Sequence, residues 1–243
     1  GLDAGLDVII NKAEVKLPDD SVVGTGTAAL IAPTGGTSGT TKVHKCEGVV
    51  SKSEDTISIK LASPVPVGKA SLQLDYDGEL NNKMCGFYRA KATLDGKEEW
   101  MAVTQHEPTD CRRTMPCFDE PALKATFDVT LVVPVDYTAL SNMPVKAENK
   151  VDGGLKEVKF DTTPPMSTYL LAMVVARLDF VEGTSAQGVK YRVYTMPGVT
   201  DQGKFALDVG MKVLDFFSEY FNNAYPLPKM DMVAIPDFSA GAM

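Results

Sequence analysis

The residues best suited to chemistry in this chain stand together in Gln105-His106-Glu107-Pro108-Thr109-Asp110 and in the loop that follows. His106, Glu107 and Asp110 resemble the zinc motif H-E-x-x-H with Asp in its last place. That motif works because a helix puts residues i and i+4 on one face. Pro108 pushes Glu107 out of the helical region and the run before it reads as a strand, so the zinc reading of this segment is rejected. What remains is a carboxylate at the end of a strand, beside a proline turn. On residue type alone it is either a surface Glu on a turn, the commoner case, or a group placed to meet a ligand's positive charge.

Arg112-Arg113 and Asp119-Glu120 set two bidentate donors and two carboxylates within one short loop. An Arg-carboxylate pair that pins the loop is the favoured explanation. Cys111 and Cys117 in the same loop lack a base partner in sequence, so a nucleophile reading is disfavoured. His44 and Cys46, two apart on a presumed strand, share a face but supply only two metal ligands; a surface His near a partly buried Cys is the favoured reading.

These groups need a frame. The 243 residues, 44% hydrophobic and 23% charged, describe a globular chain of one large or two modest domains, which excludes disorder as the dominant state. A net charge of -8, with no Lys/Arg block longer than a pair, argues against nucleic acid. The longest apolar runs, such as Tyr169 to Ala176, fall far short of the roughly 20 residues that cross a bilayer. Four cysteines without a C-x-x-C pair, and no N-x-Ser/Thr acceptor, point to a reducing, cytoplasmic setting. Gly1 carries neither an initiator Met nor a signal-like segment and is expected to lie inside a longer translated chain.

Up to about Thr195 the pattern is one of short alternating or β-branched runs punctuated by Gly, Pro, Asn and Asp. Strands are expected at Val22 to Ile31, Thr56 to Leu61, Ser71 to Tyr76, Phe87 to Leu94, Trp100 to Gln105, Thr126 to Val133, Glu157 to Phe160, Tyr169 to Ala176 and Val189 to Thr195. Asp95-Gly96 supplies the positive φ for a hairpin, and Pro33 to Thr41 reads as an exposed, mobile loop. After Pro197-Gly198 the period changes. Phe205, Val209, Val213, Phe216, Phe217 and Tyr220 recur at helical steps, then Met230 to Ile235 reads as a strand and Pro236 to Met243 as a further extended piece. The change places a domain boundary near residue 196.

The run T-Q-H-E-P-T-D-C-R-R-T-M-P-C-F-D-E-P-A-L-K-A-T-F (Thr104 to Phe127) closely resembles the amino-terminal domain of the zinc aminopeptidase family that includes puromycin-sensitive aminopeptidase and aminopeptidase N. Further matches are G-F-Y-R at Gly86, A-L-S-N-M at Ala139, Y-L-L-A at Tyr169, Y-P-L-P-K at Tyr225 and P-D-F-S-A-G-A-M at Pro236. They stand in the family's order from about Thr56 to the end, while residues 1 to 55 match only in strand character. The resemblance implies a mainly β fold: a saddle-like β-sandwich amino-terminal domain over residues 1–195, then the first strand-helix-strand elements of a thermolysin-like α/β catalytic domain over 196–243.

It also implies roles. Gln105 and Glu107 correspond to a Q-x-E segment that reaches the active site, where the Glu binds the free α-amine of a peptide; a carboxylate facing an ammonium is how an exopeptidase demands a free amino terminus. Gly241 and Ala242 would line the substrate as an added strand, where a side-chain-poor backbone permits close approach, and Met243 would border the pocket for the first side chain. Pro108, Arg112, Arg113, Asp119 and Glu120 would shape the loop. The resemblance further suggests a cis peptide before Pro108, which costs only about 0.5–1 kcal/mol before proline. The family's zinc ligands, general base and transition-state Tyr find no counterpart here, so zinc is implied for the complete enzyme and not for this segment, which alone is expected to be inactive. The partners implied are peptides with a free amino terminus and the remainder of the catalytic domain. A non-catalytic scaffold of the same fold is the alternative, and an epoxide-opening hydrolase ranks last because it tends to carry Gln where Glu107 stands.

Overall fold

A computed structural model describes residues 80–94 and 97–243, position 67, and the backbone of five earlier strands. The earlier strands are β1 (Leu2–Asp3), β2 (Val8–Lys16), β3 (Cys46–Ser53), β4 (Thr56–Leu61) and β5 (Ser71–Gly78). The strand expected at Val22 to Ile31, the Pro33 to Thr41 loop, the His44–Cys46 side-chain pair and the Asp95-Gly96 turn lie outside the described residues. The chain forms two compact units. One comprises residues 1–88, 104–126 and 165–171; the other comprises 89–103, 127–164 and 172–243.

In the first unit β1, β4 and β3 form one antiparallel sheet, and β2 pairs with β5. Its buried residues include Tyr88, His106, Cys111, Cys117 and Leu171. Tyr169 to Ala176 does not form the single strand its apolar character suggests. Residues Thr168–Leu170 make a 3-10 turn and only Met173–Ala176 is a strand. The reason is local. Leu170 and Leu171 donate their N–H groups to the carbonyls of Ser167 and Thr168, and the Ser167 hydroxyl bonds the Pro121 carbonyl at 2.7 Å, so the backbone is satisfied without a ladder.

The second unit holds most of β6 (Gly86–Leu94) and β7 (Lys97–Gln105), together with β8 (Thr130–Pro134), β9 (Thr138–Ser141), β10 (Val145–Val151), β11 (Leu155–Phe160), β12 (Met173–Ala176), β13 (Asp179–Thr184), β14 (Lys190–Thr195) and β15 (Lys229–Val233). The strands join in the orders β6-β7-β12-β9, β10-β11-β8 and β13-β14-β15. Val133, Ala139, Val158 and Phe160 make a buried cluster with Val129, Leu131, Met143 and Val175 packed on it. The ladder of β8 starts at Thr130 rather than Thr126, because Phe127 N bonds the Thr163 hydroxyl at 2.9 Å instead of a strand partner. In this unit the sequence pattern does not announce β9, β10 and β13, and in the first unit it does not announce β1, β2 and β3. Six of the seven residues of β10 are exposed, as befits the edge of its sheet, so alternation had nothing to report.

The helix α1 (Lys204–Tyr220) connects β14 to β15, which pair in parallel from Lys190↔Lys229 to Tyr194↔Val233. Parallel neighbours require such a crossover. The change of period near residue 196 therefore falls inside one hydrogen-bonded sheet. The helix lays Leu207, Gly210 and Met211 toward the sheet, and Gly203 does the same in the turn just before it: Tyr191 fills the space where a Cβ on Gly210 would stand, and Val193 crowds that space at Gly203. Its aromatic stripe is left outward, with Phe205 78%, Phe216 58% and Tyr220 69% exposed. Among the described residues no helix is long and apolar enough to cross a membrane.

Candidate functional site

β7 ends at Gln105, and the chain turns at once. Gln105 and His106 are buried and Glu107 is exposed. The Glu107–Pro108 peptide is cis. Asp110 N donates to the His106 carbonyl at 2.8 Å and closes the turn, so Glu107 stands on its outer side while its neighbour is held within. His106, 1% exposed, shares a 2.7 Å hydrogen bond between Nε2 and the Thr114 hydroxyl. Burial lowers its pKa to about 4, with the charges of Asp119 and Asp110 pulling the other way, so the imidazole is neutral near pH 7. The Gln105 Oε1 atom is buried without a hydrogen-bond partner.

The loop below is pinned through its acidic residues. Asp110 precedes the 3-10 turn Cys111–Arg113 and accepts from Arg113 Nε at 2.6 Å. Asp119 is buried; its Oδ2 accepts from Arg112 N at 3.1 Å and Arg112 Nε at 3.2 Å, and its Oδ1 from the Thr168 hydroxyl at 2.6 Å. One carboxylate thus ties two ends of the loop and a segment 49 positions away. Glu120 is exposed, and its carboxylate receives Ala122 N at 3.3 Å. Gly86 lets the loop approach β6, since a Cβ there would lie 2.7 Å from Arg113 Cβ, at a φ of +70°.

Gly241, Ala242 and Met243 belong to the second unit. They are exposed and lie outside any strand: Pro236 to Met243, expected as an extended piece, forms bends, and the Asp237 carboxylate holds it to β6 by accepting Lys91 N at 3.0 Å. A strand needs a ladder partner, and here the segment receives a side-chain contact instead. A Cβ on Gly241 would meet nothing within 4 Å, so backbone access at that position is open.

Sequence reasoning missed Thr114 and Thr168, the hydroxyl partners of His106 and Asp119. A Thr carries no sequence signal of its hydrogen-bond partner, and the second contact exists only after folding. It also missed the buried pair Lys229–Asp231, with Lys229 Nζ donating to the Ser141 carbonyl at 2.8 Å. Among the described residues the one close group of three His, Cys, Asp or Glu ligand atoms is Cys111, Cys117 and Asp119, and this set does not fit the zinc of an H-E-x-x-H motif, which is held through histidines.

The description of the Peptidase M1 N-terminal domain matches residues 9–170, and that of the Peptidase family M1 domain matches 205–243. Aminopeptidase M1 of Arabidopsis thaliana is 48% identical over 239 residues, covering 97% of this chain and 26% of that protein. Aminopeptidase M1-B of Oryza sativa subsp. japonica is 52% identical over 197 residues (81% and 22%), and the puromycin-sensitive aminopeptidase of Caenorhabditis elegans is 48% identical over 189 residues (77% and 20%). The chain spans about a quarter of the length of these curated relatives. Its mainly β architecture agrees with the first match, which alone covers most of its length, and the chain belongs to the M1 peptidase family.

Proposed function

We propose that the chain is the amino-terminal part of a zinc-dependent aminopeptidase that removes amino-terminal residues from peptides. In this reading residues 1–195 form the amino-terminal β domain and 196–243 begin the catalytic domain, with β15 joining the β13–β14 sheet across that division. Glu107 anchors the α-amine with Gln105 two positions before it, Met243 borders the pocket for the first side chain, and Gly241 and Ala242 offer the edge on which substrate backbone pairs. Pro108, Arg112, Arg113, Asp119 and Glu120 shape the loop that carries the anchor. Zinc and its ligands belong to the remainder of the catalytic domain, which is also the segment's nearest partner; the segment alone is inactive. The cysteine usage supports a reducing, cytoplasmic setting.

One observation carries the reading: Glu107 is exposed on a turn that runs between buried His106 and buried Cys111 and whose supporting loop is fixed by Asp110 and Asp119. A carboxylate carried on a fixed backbone has less to order when a cation arrives. The test is Glu107→Gln in the full-length protein, assayed on an aminoacyl anilide. Loss of a charge-assisted hydrogen bond predicts a fall in kcat/KM of about 10- to 100-fold. Unchanged kinetics refute the assignment.

A further inference from the structure

Cys111 and Cys117 sit within the loop below the Glu107 turn, and the amine-anchor reading uses neither. Both are free and buried. Their sulfurs and a carboxylate oxygen of Asp119 all lie within 4.8 Å of one another, and the two thiols share a hydrogen bond. The backbone enforces this. Thr114 N and Met115 N donate to the Cys111 carbonyl at 2.9 and 3.0 Å, and Arg112 N donates to Asp119 at 3.1 Å, so the chain after Cys111 folds back onto it.

A metal ion is the rival use of such a cluster. A closed structural zinc site takes four ligands, and this set has three among the described residues. Both oxygens of Asp119 already accept hydrogen bonds, Oδ1 from Thr168 and Oδ2 from Arg112, whose guanidinium also repels a cation. The chemistry left to two thiols in contact is reaction with each other, which asks the sulfurs to close to a bond of about 2.05 Å.

We propose that Cys111 and Cys117 are a modification site, a dithiol that hydrogen peroxide closes to a reversible intramolecular disulfide. Cys117, the less buried of the two, reacts first. Its thiolate attacks one peroxide oxygen, the O–O bond breaks, and the departing hydroxide takes up the thiol proton as water, leaving a sulfenic acid. The Cys111 sulfur then attacks the Cys117 sulfur, the S–O bond breaks, and hydroxide leaves with the Cys111 proton as a second water. Two thiols lose two electrons and one peroxide becomes two waters. A small-molecule thiol reverses the step through a mixed disulfide. The hydrogen bond with Cys117, burial and the Asp119 charge hold the Cys111 thiol above its ordinary range, so it stays protonated while Cys117 meets peroxide, and its later attack on Cys117 quickens as pH rises.

The experiment treats the full-length protein with hydrogen peroxide, alkylates the remaining thiols under denaturing conditions and maps the tryptic peptides. Cleavage after Arg112 and Arg113 places the two cysteines on separate peptides, so the disulfide reads as a linked pair that dithiothreitol separates. In Cys111→Ala the pair is absent and Cys117 is trapped by dimedone as the sulfenic acid. Complete alkylation of both cysteines after peroxide overturns the proposal, as does pairing of Cys117 with Cys46 or Cys85. It also fails if the thiols are protected by a zinc ion that is lost in Cys111→Ala. The wild-type map decides the matter even if the variant does not fold.

Discussion

Glu107 and His106 are neighbours with opposite fates, one exposed and one almost wholly enclosed, and the difference is set by a turn of four residues. His106 carries a pH signature that an exposed residue would not. Its folded pKa is about 4, below the roughly 6.5 of an unfolded chain, so between those values the unfolded state binds a proton that the folded state refuses. Its contribution is whole above pH 6.5 and is lost as pH falls toward 4, up to about 3 kcal/mol. Urea midpoints at pH 7 and pH 5 should show this loss in the wild type and a smaller one in His106→Gln. An equal loss in both removes His106 as the source. Nothing in the sequence distinguished His106 from a surface histidine. Its burial follows from contacts with Thr114 and with the segment around Thr168, which the chain order keeps apart.

At the scale of elements the strands and α1 were legible where a period existed, and less so where hydrogen bonds were drawn from side chains. Thr56–Leu61 and Lys190–Thr195 follow from their β-branched and aromatic residues. β10 has no apolar face to read, and the start of the expected strand Tyr169 to Ala176 falls in a 3-10 turn because apolar character does not report whether a backbone finds a ladder. The helix shows a further limit. Its period was plain, yet the face that meets the sheet is the small-residue face of Gly203 and Gly210, not the aromatic one. Gly210→Ala tests this. Helix propensity favours Ala by about 1 kcal/mol. A Cβ at that position would collide with the Tyr191 ring, so a net loss of about 1–3 kcal/mol is expected in denaturant unfolding. A gain in stability would show that the helix does not approach the sheet this closely.

For the whole molecule, the outward stripe of Phe205, Phe216 and Tyr220 is exposed apolar surface of the kind that marks an interaction. If the chain is part of the proposed enzyme, the remainder of the M1 domain would be what covers it. Phe216→Asp should therefore cost about 3–5 kcal/mol in the full-length protein, as a buried aromatic does. In the isolated chain, where the ring is more than half exposed and meets the rings of Phe217 and Tyr220, the cost should be below about 1 kcal/mol. Equal effects in the two proteins would place the stripe in solvent. By itself the sequence determined the family, the β character and the identity of the loop, because motifs and periodicity are local properties of side chains. The tertiary structure decided which neighbour of Glu107 is buried, which carboxylate bridges the loop, which face of the helix meets the sheet and which two thiols touch. Those depend on contacts between residues distant in the chain, and their free energies are settled only when the chain has closed on itself.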